Sequence, residues 1–348
     1  MTRNRITSPV RLGTALAGAL LFLTGCGGDA SPDRSDSNAK ADIPQGTIVF
    51  RRFLDAEQTH ASLFTMRSDG SGEKQLLTSP DQTIDTNPDW SPDGKQVTFS
   101  REFQDQPYEV HVVDADGSGE TVVDPGCVPK IKDKKICEED NPSWSPDGRL
   151  AFNWAGGTIS RVRGEDTIEV AGIGTARPDG TDAKLLTQND RPTHTEDKAP
   201  MWSPDGKQIG FIRVNITAEP LDAGALFVAD ADGSSPKRIT PWELGADDPA
   251  WSPDGSFISF RSEPDDANEF VGDLYTIRPD GSDLTKVVDG KGNQVFGSSI
   301  SPDGKWIVFG MTGKGALPDL YVTRRDGSGL TPLTRTPEWE SAPDWGPR

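Results

Sequence analysis

Short apolar runs recur along the chain from residue 46 to the C-terminus, separated by turn-forming Gly, Pro, Asp and Ser. Runs such as Gln96–Ser100, Gln208–Ile212 and Trp306–Phe309 have the length of β-strands and are too short for ordinary helices. Similar short runs follow at regular intervals, often after an Asp-Gly pair that favours a hairpin. The pattern predicts an all-β domain of many short strands joined by tight turns.

One seven-residue segment, which we call the repeated phrase, recurs within this pattern. Pro-x-Trp-Ser-Pro-Asp-Gly occurs at 88–94, 142–148, 200–206 and 249–255. A fifth copy at 298–304 has Ile300 in place of the Trp, and a truncated sixth copy ends the chain at 343–348. Ser-Pro-Asp-Gly suits a tight turn because Pro fixes φ at the second position and Gly permits positive φ at the fourth.

Each phrase opens a predicted unit of four antiparallel strands, and such units stack as the blades of a β-propeller. The folded body begins at Thr47–Phe50 with strands two to four of a unit, and the orphan strand at 343–348 supplies the missing first one. We therefore predict a six-bladed β-propeller over residues 46–348, in which the C-terminal strand completes blade one and closes the ring. Closure would remove an unpaired strand edge. The repeated Trp is expected to pack between blades.

The N-terminus carries targeting signals. Met1–Arg11 is basic, and the apolar Leu12–Leu23 has the length of a signal peptide and is too short to span a bilayer comfortably. It ends in Leu23-Thr24-Gly25-Cys26, which resembles the lipobox of bacterial lipoproteins. This resemblance implies a signal peptide over residues 1–25 and a lipidated Cys26, and two acyl chains would hold the protein stably on a membrane. An ordinary signal peptide with a chance Cys is the alternative.

The small, polar residues after Cys26 predict a flexible tether, so that 26–45 links the anchor to the folded body. The expected location is extracytoplasmic, on a bacterial membrane.

The repeat also resembles a known family. Trp-Ser-Pro-Asp-Gly, the Leu-Tyr pairs at 274–275 and 320–321, and Asp-Gly-Ser-Gly at 69–72 resemble the PD40, or WD40-like, repeats of TolB-like propellers. The family includes scaffold proteins, peptidase propeller domains and some polysaccharide lyases, so the resemblance implies a fold more than a function. Residues 27–45 are too short to hold the separate N-terminal domain of TolB itself.

Net charge and cysteine content limit the kinds of partner and of site that the sequence predicts. The formal net charge of −19 disfavours nucleic acid as a partner, since the protein would repel phosphates. Besides Cys26 the chain has two cysteines, Cys127 and Cys137, and an even count in an exported chain predicts a disulfide between them. A zinc site would need further Cys or His nearby, and the segment offers none.

The face of the ring that carries the variable loops is the expected location of a site, because a rigid scaffold usually presents its site on such loops. Acids recur there just before the repeated Trp. They are Asp85, Glu139, Asp140, Asp197, Asp247, Asp248 and Glu340. A ring of these carboxylates could hold Ca²⁺ or a cationic ligand, and His60 and His194 are predicted to share the rim. Alternatively, each acid caps its own loop by accepting backbone N–H bonds.

A second candidate is the basic loop between the two cysteines. It carries Lys130, Lys132, Lys134 and Lys135. These lysines could dock an anionic polymer or a partner protein, or they could be ordinary solvated surface.

The sequence gives little sign of catalysis. It has three histidines, in different repeats, and no Gly-x-Ser-x-Gly motif. The favoured hypothesis is therefore a lipid-anchored scaffold that binds another protein or a cell-envelope polymer, with Ca²⁺ as the only cofactor suggested. A carbohydrate-active propeller, similar to a polysaccharide lyase or a glycosidase, is one alternative. A sensor or accessory subunit of a membrane complex is the other.

Overall fold

The computed structural model describes residues 42–346 except 105, 127–134, 161–164, 191–194, 216–222, 264–271 and 314–316. Twenty-five strands and one short 3₁₀ helix, Trp242–Leu244, form the described part. The prediction of an all-β propeller is confirmed. No helix among these residues is long and apolar enough to cross a membrane.

The largest sheet joins the two ends of the described part of the chain. Its eight strands are Thr47–Phe53 (β1), Ala61–Arg67 (β2), Lys74–Gln75 (β3), Thr83–Trp90 (β4), Gln96–Phe103 (β5), Glu109–Asp114 (β6), Thr121–Val123 (β7) and the C-terminal Glu340–Gly346 (β25). β25 pairs antiparallel with β1, and Ile48 lies opposite Trp345. β3 pairs with β2, while the main path runs β25-β1-β2-β4-β5-β6-β7.

The second sheet has five strands. They are Lys135–Trp144 (β8), Leu150–Ser160 (β9), Glu165–Ala176 (β10), Lys184–Leu185 (β11) and Asn189–Asp190 (β12). The order is β11-β10-β9-β8, and the two-residue β12 also pairs with β10.

Three further sheets have four strands each, in sequence order. The third sheet contains Thr195–Trp202 (β13), Gln208–Asn215 (β14), Gly224–Asp230 (β15) and Lys237–Arg238 (β16). The fourth contains Ala246–Trp251 (β17), Ile258–Ser262 (β18), Asp273–Ile277 (β19) and Thr285–Val288 (β20). The fifth contains Val295–Ile300 (β21), Trp306–Thr312 (β22), Pro318–Arg324 (β23) and Thr331–Pro332 (β24).

This arrangement corrects the prediction of a six-bladed β-propeller with six separate blades. Four sheets are blade-like, and the remaining strands form one sheet of double size. The two halves of that sheet are joined where Ala61 of β2 pairs in parallel with Ile84 of β4. Sequence periodicity predicts the antiparallel strands of a unit, but it carries no signal for this single backbone bridge between units.

The predicted turns form as expected. In Ser-Pro-Asp-Gly at 91–94, the Gly94 N–H donates to the Ser91 carbonyl at 2.8 Å, and the Ser91 hydroxyl donates to Asp93 at 2.9 Å. Gly94 has a φ of 66°, which only Gly adopts without steric cost.

The hydrophobic core lies between neighbouring sheets. One cluster joins Leu274 of the fourth sheet, and Phe257 just before β18, to Ile300 and Phe309 of the fifth sheet. Another packs Trp90 and Val97 against Val49, from the two halves of the large sheet. The prediction that the repeated Trp packs between units is confirmed by Trp90. Each sheet buries its faces only against its neighbours, so stability depends on the whole ring.

Carboxylates of the repeated phrase connect the first strands of neighbouring units. We call these the innermost strands, because they line the centre of the ring. The backbone N–H of Trp144 donates to Asp89 at 2.6 Å, which connects β8 to β4. Likewise, the N–H of Trp90 donates to Asp344 of β25 at 2.8 Å. Asp89 and Asp344, each directly before a Trp, thus hold the next strand in register around the ring.

Candidate functional site

A cavity of about 340 Å³ lies where the innermost strands of the five sheets meet. We call it the channel cavity. Its walls include Asn87, Asn141, Ala199, Asp248 and Ala342, one from each of five innermost strands, β4, β8, β13, β17 and β25, while β21 contributes Gly297. Its volume is at the lower end of the range for small-ligand pockets, so it suits a small ligand or the tip of a polypeptide chain.

These five wall residues share an unusual backbone conformation. Their φ angles are between 46° and 50°, in the left-handed region that non-glycine residues seldom occupy. Each precedes a Pro and sits at a β-bulge, as the register shift between Thr86 and Asp89 shows for Asn87. Of the five, only Asp248 was predicted from the sequence, as an acid of the rim. The available signal was the residue before Pro in the repeated phrase, and strain of this kind often marks functional sites.

The predicted acidic rim divides into two layers. Asp85, Asp197 and Glu340 form the first, and each is almost fully buried. Each lies directly across the ladder from an arginine of the next strand. The cross-strand pairs are Asp85–Arg101, Asp197–Arg213 and Glu340–Arg52.

The first layer is held by ion pairs. Arg101 Nε donates to Asp85 at 2.6 Å and Arg213 Nε donates to Asp197 at 2.6 Å, while Arg52 donates to Glu340. Because these carboxylates accept hydrogen bonds inside the sheets, they neutralise buried arginines instead of facing the channel.

Glu139 belongs to the same layer but has a different partner, since Trp154 lies across from it. Burial, together with the negative charges of Asp124, Glu109 and Glu138, raises the pKa of Glu139 to about 8. A carboxyl in this environment retains its proton at neutral pH. In the fifth sheet the pair at this position is the apolar Val295–Met311.

The second layer lies next to the channel cavity and carries both signs of charge. Asp247 accepts from Lys198 at 3.1 Å and from Arg261 at 2.9 Å, and Arg261 also reaches Asp248 at 2.7 Å. Burial alone would raise the pKa of Asp247, but Lys198 and Arg261 hold it at about 2. Burial raises the pKa of Asp140, although hydrogen bonds from Ser100 and Asn141 lower it in part.

Arg51 is a third cation of the second layer and lies across the ladder from Ser341. Its Nη1 donates to Thr86 Oγ1 at 2.9 Å and its Nη2 to Ser341 Oγ at 2.6 Å. Thr86 and Ser341 directly precede the cavity residues Asn87 and Ala342. Burial lowers the pKa of Arg51 to about 10, although the charges of Asp248 and Glu102 oppose this.

This guanidinium adjoins a cluster of three aromatic rings through Phe53. Trp339 packs edge-on against Phe53 at 5.9 Å and against Phe296 at 5.2 Å between ring centroids. Arg51 lies over Phe53 at 5.0 Å from the ring centroid, and Trp339 Nε1 donates to Ser341 Oγ at 3.1 Å. We call Arg51, Phe53, Phe296, Trp339 and Ser341 the mouth cluster. Sequence analysis missed it because its members come from three strands and a connecting segment.

The other candidate residues are not brought together. His60 lies in the connection after β1, where its N–H is 3.3 Å from Asp55. Within the described ranges, no group of three or more His, Cys, Asp or Glu is placed to hold a metal. The calcium rim stays a prediction, which thermal unfolding with Ca²⁺ and with a chelator would test.

Several predicted residues lie outside the described part of the chain. They are Cys26, Cys127, Lys130, Lys132, Lys134 and His194. Cys137 and the backbone of Lys135 lie in β8. The Cys127–Cys137 disulfide and the basic docking loop therefore stay predictions.

Comparison with known proteins identifies the family of this chain. The model of the PD40 family, described as the TolB β-propeller domain, matches residues 165–348. A protein of Agrobacterium fabrum is 26% identical over 56% of this chain and 57% of its own length. The Tol-Pal system protein TolB of Anaeromyxobacter dehalogenans is 29% identical over 40% of this chain and 31% of its own length.

A solved structure agrees with the fold. The crystal structure of TolB from Acinetobacter baumannii superposes with a TM-score of 0.62 at 21% identity, covering 90% of this chain and 71% of that protein. At this identity the likeness shows the fold alone. The sequence matches to the two relatives cover less than two thirds of either one's length.

Proposed function

The chain belongs to the TolB β-propeller family, and on that premise we propose that it is an extracytoplasmic, lipid-anchored scaffold that binds another protein at the mouth of its channel. The single observation that carries this proposal is the mouth cluster beside the channel cavity. A half-buried guanidinium and three packed aromatic rings meet there, with the carboxylates of Asp248 and Glu102 nearby. Aromatic residues and arginine dominate the energetics of protein interfaces.

The mixed charge of the second layer supports the same proposal. Lys198, Arg261, Asp247 and Asp248 form a connected network beside the cavity. Fixed charges of both signs favour specific recognition over general attraction, because a wrong partner meets like charges. One relative is named as a Tol-Pal system protein, so an envelope protein of that system is the first partner to test.

The anchoring part of the proposal depends on the N-terminal sequence. The segment Leu23-Thr24-Gly25-Cys26 supports lipidation at Cys26, and the polar residues that follow would let the propeller reach away from the membrane. Cys26→Ala should move the protein from the membrane fraction to the soluble fraction. Retention of this variant on the membrane would contradict lipid anchoring.

Site-specific photo-crosslinking tests the binding surface. A photo-reactive phenylalanine analogue is placed at Trp339, in the mouth cluster, and in a second variant at Lys95, an exposed turn residue at the opposite end of the innermost strands. We expect discrete crosslinks to an envelope protein from position 339 and none from position 95. The same crosslinks from both positions, or none from either, would contradict the proposal.

A further inference from the structure

Arg51 differs from the other arginines that lie beside the acids of the first strands. Arg52, Arg101, Arg213 and Arg261 each bond a carboxylate. In the described part of the chain, the side-chain hydrogen bonds of Arg51 go to the neutral hydroxyls of Thr86 and Ser341, and no acid lies within ion-pair distance. Asp248 and Glu102 act on its charge without bonding it.

A guanidinium in this state has unused binding capacity. Arg has five N–H donors, and Arg51 directs three hydrogen bonds at two hydroxyls, with lengths of 3.1, 2.9 and 2.6 Å. A half-buried cation without a bonded anion is unfavourable, because partial burial removes part of its hydration. A ligand carboxylate would supply the missing charge and could accept two parallel N–H bonds from the fork.

The surroundings of Arg51 are built to keep it in place. Ser341 Oγ accepts from both Arg51 and the Trp339 indole, so one hydroxyl fixes the guanidinium against the aromatic wall. Phe53 is almost fully buried, and its backbone N–H donates to the Trp339 carbonyl at 3.0 Å. A preorganised donor loses less entropy when it binds.

We propose that the mouth cluster binds the carboxylate at the end of a partner's polypeptide chain, next to an apolar side chain that packs on Phe296 and Trp339. This inference rests on the proposed scaffold function and specifies the chemistry of the bound segment. An arginine fork over one aromatic ring and beside two others suits a chain end, which presents its carboxylate next to a side chain.

Small probes test this chemistry without a known partner. Binding of N-acetylphenylalanine to the full chain is measured by calorimetry, beside its uncharged analogue N-acetylphenylalaninamide and the sugar acid galacturonate. We expect the acid to bind at least about tenfold more tightly than the amide, because only the acid accepts charge-assisted bonds. Equal binding of acid and amide, or no binding of the acid, would overturn the proposal. Tighter binding of galacturonate would assign the carboxylate to a saccharide and overturn the chain-end assignment.

Substitutions at Arg51 then test whether this residue binds the carboxylate. Arg51→Gln should weaken binding of the acid by about tenfold or more, and Arg51→Lys should weaken it less because the charge remains. Arg278→Gln is the matched control, because Arg278 is an exposed residue paired with Asp283. Unchanged affinity in Arg51→Gln would overturn the proposal.

A readout on the unmodified protein covers the case in which the Arg51 variants fail to fold. The indole N–H of Trp339 is assigned in an NMR spectrum from a Trp339→Phe variant. Addition of the acid should shift this signal and leave that of Trp242, which packs on Phe227, unchanged. An unmoved Trp339 signal would place the site elsewhere. Crosslinking from position 339 without binding of the acid would leave the scaffold proposal standing and remove only the carboxylate.

Discussion

Glu139 of β8 lies directly across the ladder from Trp154 of β9, at the register position where the neighbouring units place an acid opposite an arginine. Glu139 is 7% exposed, and its charged neighbours Asp124, Glu109 and Glu138 are all acidic. This unit thus has the first-layer acid, Glu139, without an arginine to neutralise it. The stability of this sheet should therefore depend on pH.

Glu139→Gln should therefore be more stable than the unmodified protein at alkaline pH. The folded pKa of Glu139, about 8, is above its ordinary value of 4.5. Below pH 4.5 the carboxyl is protonated in both states, and between 4.5 and 8 the unfolded state loses its proton first, so the folded state loses stability as pH rises. We expect the variant to gain roughly 4 kcal/mol at pH 8, measured by urea unfolding.

The gain should disappear near pH 4, where both proteins carry a neutral group at this position. Glu243→Gln, at an exposed residue, serves as the control and should change stability little at either pH. A pH dependence of unfolding that is the same in Glu139→Gln and in the unmodified protein would contradict this account.

The first-layer ion pairs should be important for stability. Asp85→Asn leaves the buried Arg101 without its main counter-charge, and we expect a loss of about 3 kcal/mol in the free energy of unfolding. Asp283→Asn breaks the exposed pair with Arg278 and should cost less than about 1 kcal/mol. Chemical denaturation of both variants checks this, and similar costs for the two would count against it.

Trp345 of β25 should be one of the most sensitive positions in the ring. It is fully buried and packs with Ile48, Met66 and Val308, from three different strands. Trp345→Ala should cost about 3–5 kcal/mol. Trp345→Phe should cost clearly less, because the indole N–H has no hydrogen-bond partner among the described atoms and only volume is lost.

Removal of residues 340–348 tests closure directly, since it deletes β25 and leaves the edge of β1 unpaired. We expect loss of cooperative thermal unfolding, followed by calorimetry. Trp242→Ala, at a half-buried residue outside the ring of innermost strands, is the comparison and should shift the midpoint only slightly. A truncated protein that still unfolds in one cooperative step would refute this role of β25.

The left-handed residues that line the cavity predict a stabilising substitution. Ala199 has a φ of 50°, which costs roughly 1–2 kcal/mol for a residue with a Cβ. Ala199→Gly should stabilise the fold by about 0.5–1 kcal/mol, since Gly's greater flexibility offsets part of the relief. Ala225→Gly, at a buried position in the regular strand β15, should destabilise it. Thermal unfolding would show opposite signs, and equal signs would argue against stored strain.

Local sequence determined much of the architecture. Ser-Pro-Asp-Gly and Asp-Gly encode turns through the φ preferences of Pro and Gly, and alternation encodes strands, so both are readable from neighbouring residues. The pairing of β25 with β1 was also predictable, because the first unit lacks one strand and the C-terminus has one to spare. The repeated acids were identified for the same reason, since they recur three to five positions before Trp.

Only the tertiary structure decided how many sheets form, which partners the repeated acids have and which residues make up the mouth cluster. The bridge between Ala61 and Ile84 depends on how two units approach each other, which no local pattern records. Whether an acid faces an arginine, as Asp85 faces Arg101, or Trp154, as Glu139 does, depends on the residue across the ladder, 15 or more positions away in sequence. The mouth cluster joins Phe53 to Trp339, whose contact exists only because the ring closes.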